Sequence, residues 1–432
     1  MFKTFKTDII KGKKIIFFFL TKGLGNGFAV LVPLLSAKIL APEIMGSFFL
    51  FKMLIFFMIS LLIAPLAAPF NIESNKEYAT SGKTNKTFTS LLVYLSSSLV
   101  LAFLIFLLWG QELMHFVGLD YVELRAILVL AFLGLVAYRF LPILFLGQNN
   151  KKMNAILELL FPLIHFIYIG VLFLLEVVTL KTVLLGYPLA GLIILIVSVF
   201  AVDYKKILPL HFSKQNFTDL WKFSSWLILA TSASYLINWG DNIILKYYVS
   251  MADIGVYNLG YQFFKMGLMF HFFVAHFYTP YLTQRINKNQ SISNYLNEKR
   301  KKVLLYVFII FIAAEIAVGP LIKFFFDASY YEAINITRIL LLGNFFLAVV
   351  SFYLPVFYVI KKYKLATVIL VIQLLINIAL DIIFVKYWGV IGAAIATTIA
   401  YLIYAIIIKA LFEYKIKKTL DIPSEKSLEI NN

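Results

Sequence analysis

Four basic residues lie inside long apolar stretches: Lys22, Lys52, Arg139 and Lys265. A Lys or Arg at the centre of a bilayer costs about 2.5–3.5 kcal/mol on insertion scales, so such a side chain turns toward a bundle interior or a wet cavity, where it can hold an anion. Arg139 and Lys265 fall near the middle of their stretches. Lys22 and Lys52 lie nearer one end, from which a long side chain can also snorkel to the interface. The acidic residues in similar settings are Glu158, Asp241, Glu315 and Asp381. Asp241 sits in a polar run with Asn238 and Asn242 and is expected to pair with a buried cation or to carry a coupling ion. Glu158 is a second such partner, although it, Glu315 and Asp381 lie closer to span ends, where an interfacial position is expected. His165, His271 and His276 could titrate near neutrality, but a lone histidine in a bundle is ordinarily a hydrogen-bonded structural residue. Covalent chemistry has no carrier. The chain has no cysteine, which excludes thiol nucleophiles, zinc–thiolate sites and disulfides, and it has no Walker motif. No catalytic residue, metal or cofactor is expected.

The elements that must position these charges are membrane spans. Hydrophobic residues make up 62% of the 432, well above the share in a soluble domain, and roughly 20 mostly apolar residues cross the hydrocarbon core. The fold class is all-α and polytopic, with spans expected at about 15–38, 45–69, 88–109, 125–147, 153–175, 182–202, 223–246, 255–281, 303–323, 338–360, 365–385 and 388–411. The basic residues sort onto alternate gaps, about 28 on one set and about 7 on the other, which by the positive-inside rule puts both termini in the cytoplasm. The net charge of +17 is then topology and contact with anionic lipid, not nucleic-acid binding. The first apolar segment follows five lysines without a convincing cleavage pattern and reads as a retained span. Phe (43) and Tyr (25) are expected mainly at the lipid face and in the interfacial belt. In span 1, Gly23, Gly25 and Gly27, with Pro33 beyond them, predict a helix break or close helix–helix packing.

Two internal matches point to duplication. The turn Leu40-Ala41-Pro42-Glu43-Ile44-Met45-Gly46-Ser47-Phe48 aligns with Val249-Ser250-Met251-Ala252-Asp253-Ile254-Gly255-Val256-Tyr257, and the segment after Pro142 aligns with the segment after Pro355. Both offsets are about 210 residues, six spans, which predicts two parallel halves related by an axis along the membrane normal. The expected organisation is an N-terminal six-helix lobe at 1–202, a cytoplasmic linker at 203–222, a C-terminal six-helix lobe at 223–411 and a cytoplasmic tail at 412–432. Lys52 and Lys265 are not equivalent in this alignment, because Tyr261 falls opposite Lys52.

The Leu40–Phe48 turn resembles the L-x-P-E-x-x-G-x-F/Y turn after the first span of O-antigen and capsule repeat-unit flippases (Wzx type), of the MATE-like MOP exporter superfamily. Asp241-Asn242-Ile243-Ile244 with Ile254-Gly255-Val256-Tyr257 is similar to that family's D-x-x-I/L and V/I-G-x-Y pair, and Gly389-Val390-Ile391-Gly392-Ala393-Ala394-Ile395-Ala396-Thr397 resembles its G-x-x-G-A-A-I-A-T element. The resemblance covers the whole chain in order. It implies two six-helix lobes around a central cavity, working by alternating access on an undecaprenyl-diphosphate-linked oligosaccharide. It implies an inner-membrane transporter rather than an enzyme, with membrane lipids, a polysaccharide polymerase and a chain-length regulator as partners. Relatives place cations in spans 1, 2 and 8, which carries a diphosphate-binding role to Lys22, Lys52 and Lys265; Arg139 joins them on depth alone. Lysine stands here where relatives often have arginine, which loses the bidentate fork. A MATE-like exporter of organic cations would need an acidic, aromatic site, and a membrane polymerase or ligase would need a sizeable outer loop. Every outer loop expected here is about 15 residues or fewer.

Overall fold

The computed structural model describes residues 2–287, 292–360 and 362–416, and among these every regular element is helical. In chain order the helices are α1 (Phe2–Ala37), α2 (Pro42–Leu62), α3 (Ala67–Ser81), α4 (Asn85–Phe116), α5 (Tyr121–Gly147), α6 (Lys151–Leu174), α7 (Leu180–Ala201), the short α8 (Tyr204–Ile207), α9 (Lys214–Tyr248), α10 (Met251–Asn287), α11 (Ile292–Phe325), α12 (Ala333–Val359) and α13 (Tyr363–Leu411). Local chemistry places the helix starts. Pro42 opens α2 at a position where a missing N–H costs nothing. Asp120 accepts the Val122 and Glu123 amides at the head of α5, Asn150 caps α6, and Thr179 and Thr182 form a reciprocal capping box on α7.

Nine helical stretches among the described residues are long and apolar enough to cross a membrane. The last of them, Lys364–Tyr414, bends at Gly389, whose φ of 56° is left-handed and open to glycine at little cost. That bend divides α13 into the two final spans expected near 365–385 and 388–411. α9 and α10, 35 and 37 residues long, fall short on apolarity because they carry buried polar residues, including Asp241, Asn242, Asn258 and Gln262. Counting them, and both limbs of α13, the described chain has about twelve membrane-length segments, as the hydrophobic pattern predicts.

Between α2 and α4 the expected loop at about 70–87 is instead largely helix α3, ended by Gly82 in the left-handed region. The Glu77 carboxylate accepts the Lys86 and Thr87 amides at 2.9 and 2.8 Å, joining the end of α3 to the start of α4. The segment after α8 lies along the same edge: Thr84 N donates to the Lys206 carbonyl at 2.8 Å and Asn85 Nδ2 to the Pro209 carbonyl at 2.8 Å.

The chain divides into two compact units, Met1–Tyr235 and Leu236–Asn432. The first part of α9 packs with the first unit, where Thr231 donates to the Ser60 carbonyl at 3.1 Å and Tyr235 to the Met53 carbonyl. Residues 417–432 of the expected tail lie outside the described residues. In the first unit, α5 and α7 meet backbone to backbone: a Cβ on Gly134 would strike the Tyr187 carbonyl, and one on Gly191 would strike Gly134 itself. The core of the second unit includes Phe352, Tyr353, Phe357 and Ile369, closed by Ile408 and Phe412. Large apolar side chains such as Phe103, Leu107, Leu174 and Phe200 remain on the outside, as lipid-facing positions require.

Gly134→Ala should therefore destabilise the first unit by about 1–3 kcal/mol through overpacking against backbone that cannot step aside. Gly170→Ala, with open space around its Cβ, should leave the melting temperature of the detergent-purified protein unchanged or raised. Equal shifts for the two would show that the α5–α7 approach does not limit stability.

Candidate functional site

In the first unit, α1, α2, α5 and α6 present Lys22, Lys52, Arg139 and Glu158. Lys22 Nζ lies 3.0 Å from Glu158 Oε2 and 4.7 Å from the centre of the Phe18 ring. The other Glu158 oxygen accepts Asn154 Nδ2 at 3.3 Å, and Asn154 also donates to the Pro142 carbonyl at 2.9 Å. In place of a break at Gly23, Gly25, Gly27 or Pro33, α1 stays helical through all four. Gly25 acts through packing, set against the Glu158 carbonyl and the Leu159 backbone.

Lys52 and Arg139 share one aromatic ring. Lys52 Nζ and the Arg139 guanidinium carbon each lie 5.8 Å from the centre of Phe56. Arg139 also lies 5.0 Å from the centre of the Tyr138 ring, which stacks on Phe161 at 4.2 Å. Each cation gains about 0.5–2 kcal/mol from a ring face, but a ring does not neutralise charge. Among the described residues neither Lys52 nor Arg139 has a carboxylate within ion-pair distance, and the two lie within electrostatic range of one another. Two neighbouring cations in a membrane helix bundle, neither directly paired with a carboxylate among the described residues, are a place for an anion.

The second unit has the opposite balance. Asp241 on α9 is 2% exposed; its Oδ2 accepts the Tyr257 hydroxyl from α10 and the Thr397 hydroxyl from α13, the latter at 2.9 Å. Asp381 lies within electrostatic range of Asp241 and accepts Asn377 Nδ2 at 3.1 Å. The Oδ1 atoms of both aspartates are buried and without a donor among the described residues. Two buried carboxyl groups in range of one another favour a proton or a cation at the site. Nearby, Lys265 Nζ stands 3.8 Å from the centre of a Trp239 ring and 4.9 Å from that of Tyr261, and Tyr261 donates to Asn238 at 3.4 Å.

Glu158 thus partners Lys22, whereas Asp241 is held by hydroxyl groups. Asp381, expected at an interface, is 1% exposed and belongs to the Asp241 network: its distance from a span end along the chain misjudged its burial. Tyr257 and Thr397 lie within the resembling motifs, and the i,i+4 spacing of Asn377 and Asp381 was a signal that one helix face is polar. Glu315 pairs with Arg338 at 3.8 Å. His165 contacts the Val183 carbonyl and His271 contacts Asn344, both at 3.2 Å; the His276 side chain lies outside the described residues.

Long apolar helices with charged and polar side chains buried among them define a polytopic membrane protein, and comparison with known proteins places it. A family described as polysaccharide biosynthesis protein matches residues 12–284, and the chain belongs to that family. A putative O-antigen transporter of Shigella flexneri is 24% identical over 240 residues, 54% of this chain and 56% of that protein. The chain spans about half the length of the curated relatives it matches. Among solved structures, the lipid II flippase MurJ in an inward closed conformation matches with a TM-score of 0.73 at 17% identity, covering 94% of this chain and 90% of that one. An inward-facing multidrug resistance MATE family transporter of the MOP superfamily matches with a TM-score of 0.72 at 12% identity, over 90% and 96% of the two chains. The fold is that of these multi-pass membrane transporters.

If Asp241 is the shared acceptor that holds α9, α10 and α13, Asp241→Ala strands two buried hydroxyls and should cost about 2–4 kcal/mol, while Tyr257→Phe removes one donor and should cost about 1 kcal/mol. Thermal denaturation of the two purified variants checks the order. Tyr257→Phe as damaging as Asp241→Ala would sink the shared-acceptor account.

Proposed function

We propose that this protein is a flippase that moves an undecaprenyl-diphosphate-linked oligosaccharide, an O-antigen or capsule repeat unit, from the cytoplasmic to the outer leaflet of a bacterial inner membrane. The observation that carries the reading is the pair Lys52 and Arg139, set over one Phe56 ring without a carboxylate partner among the described residues. Such a cargo needs help: each unsolvated polar group costs several kcal/mol in hydrocarbon, and a lipid-linked sugar has two charged phosphates and many hydroxyls. Cations in a wet interior take the diphosphate while the prenyl chain stays in lipid. Lys22 and Lys265 complete the set of cations, Lys265 held by the faces of Trp239 and Tyr261. Basic rather than acidic charge in the first unit favours an anionic cargo over the organic cations of a MATE-like exporter.

Six spans on either side of the linker at 203–222 alternate in access, and no bond is made or broken. Asp241 and Asp381 take up a proton or a sodium ion, so that a gradient drives the cycle. The asymmetric lysine distribution puts both termini in the cytoplasm, and a polymerase with its chain-length regulator receives the cargo outside.

The test is leaflet accessibility of lipid-linked glycan in cells lacking the gene and then given it back. The intact protein restores outer-leaflet glycan. Arg139→Ala and Lys265→Ala each remove a charge-assisted contact worth about 1.5–3 kcal/mol, a loss of roughly tenfold or more in flipping at limiting substrate. Glycan reaching the outside equally well without the gene refutes the reading. Orientation has its own check, made simple by the absence of native cysteine. Lys83→Cys should label only from the cytoplasmic side with an impermeant maleimide, and Lys181→Cys only from outside. Labelling of both from one side overturns the topology.

A further inference from the structure

Of Lys22, Lys52 and Arg139, Lys22 is the one held by a carboxylate among the described residues, with Nζ 3.0 Å from Glu158 Oε2, and the pairing is built into the helices. Gly25 lies one turn along α1 from Lys22, so close to the Glu158 carbonyl that any side chain there would strike main chain. That approach fixes the register in which Lys22 faces Glu158. On α6, buried Asn154 stands one turn before Glu158 and steadies its second oxygen at 3.3 Å while tied to the Pro142 carbonyl of α5. The pair is held but open to exchange, since the Lys22 and Glu158 side chains keep 24% and 32% of their exposure. Glu158 and Arg139 both lie within electrostatic range of Tyr138, so the carboxylate belongs to the same electrostatic neighbourhood as the Lys52–Arg139 pair.

With Glu158 ionised, Lys22, Lys52, Arg139 and Glu158 together leave two positive charges. A diphosphate diester carries one negative charge on each phosphate, so the charges match. We propose that Glu158 is an internal counter-anion that competes with the cargo's phosphates for Lys22, and so sets how tightly the cargo is held and how fast it leaves. The inference rests on the flippase reading above. Carboxylate and phosphate oxygens are equivalent acceptors for an ammonium group. As the diphosphate enters, the Lys22 ammonium turns from Glu158 to a phosphate oxygen; as it departs, Glu158 takes the ammonium back. Lys22 is never left without a partner in hydrocarbon, and the cargo never gains the full attraction of three free cations. A transport site must bind firmly enough to load and weakly enough to release, and an internal competitor supplies that weakening without removing the cation. Glu158 is therefore a positioning residue that acts through Lys22.

The test is calorimetric binding of farnesyl diphosphate, a short prenyl diphosphate, to the full chain in lipid nanodiscs, with farnesol as the uncharged control. Glu158→Gln should bind farnesyl diphosphate about tenfold more tightly than the intact protein, a gain of about 1.4 kcal/mol, and should release glycan more slowly in the flipping assay. Lys22→Ala should bind more weakly, and adding Glu158→Gln to it should restore no affinity, because the gain requires the freed lysine. Should Glu158→Gln not fold, Glu158→Asp, whose carboxylate falls one methylene short of Lys22, is read in the same way with a smaller gain. If the intact protein binds the probe but the Glu158 variants bind it equally or more weakly, the competition does not exist and Glu158 merely ties α1 to α6, with the flippase reading intact. If neither the intact protein nor the variants bind farnesyl diphosphate better than farnesol, the inference and the flippase reading fall together.

Discussion

Hydrocarbon cannot hydrate a charge, and the arrangement of this protein follows from that constraint. A charged side chain in a span must be answered by another group or turned toward water, and the helices are packed so that this happens. Gly25 lets α1 approach α6 until Lys22 meets Glu158. The polar faces of α9 and α10 turn inward, burying Asp241, Asn242, Asn258 and Gln262, while Leu107, Leu174 and Phe200 are left for lipid. Backbone polarity meets the same constraint through hydrogen bonding within the helices. Among the described residues of each unit the answer is incomplete: Lys52 and Arg139 in the first have no carboxylate at ion-pair distance, and the Asp241 and Asp381 Oδ1 atoms in the second have no donor.

Much of this was legible in the residues, for physical reasons. Span number follows from hydrocarbon thickness, which acts locally along the chain. The division of α13 was signalled by two apolar runs that meet near Lys386, and the depth of Arg139 and Lys265 by their distance from any polar loop. Helix α3 was harder to see, because its polar composition reads as loop and its stability comes partly from Glu77 capping the next helix. Partnerships across helices were the least legible. Nothing near Lys22 in sequence points to Glu158, and nothing near Asp241 points to Asp381, because each pair closes more than a hundred residues of chain. Counting residues from a span end placed Asp381 at an interface, whereas burial depends on which face of α13 it occupies. Its i,i+4 partner Asn377 and the Thr397 hydroxyl define that face.

The two matched turns relate Lys52 on α2 to Lys265 on α10. Aligned on Gly46 and Gly255, Lys52 corresponds to Tyr261, and the basic residue of the second copy stands four positions further on, at Lys265. Residues four apart share a helix face, so Lys265 occupies the face that the first copy assigns to Lys52, one turn along. The geometry agrees: Lys265 lies over the Tyr261 ring at 4.9 Å, which makes the residue matching Lys52 the aromatic seat of the displaced lysine. In the first copy the seat is Phe56, one turn beyond Lys52 on the same helix, at 5.8 Å. Both copies therefore use a cation and an aromatic ring at i,i+4, in reversed order. A helix face is fixed by packing against neighbours and tolerates little change. The order of residues along that face is free to vary, and it is in that order that the two turns differ.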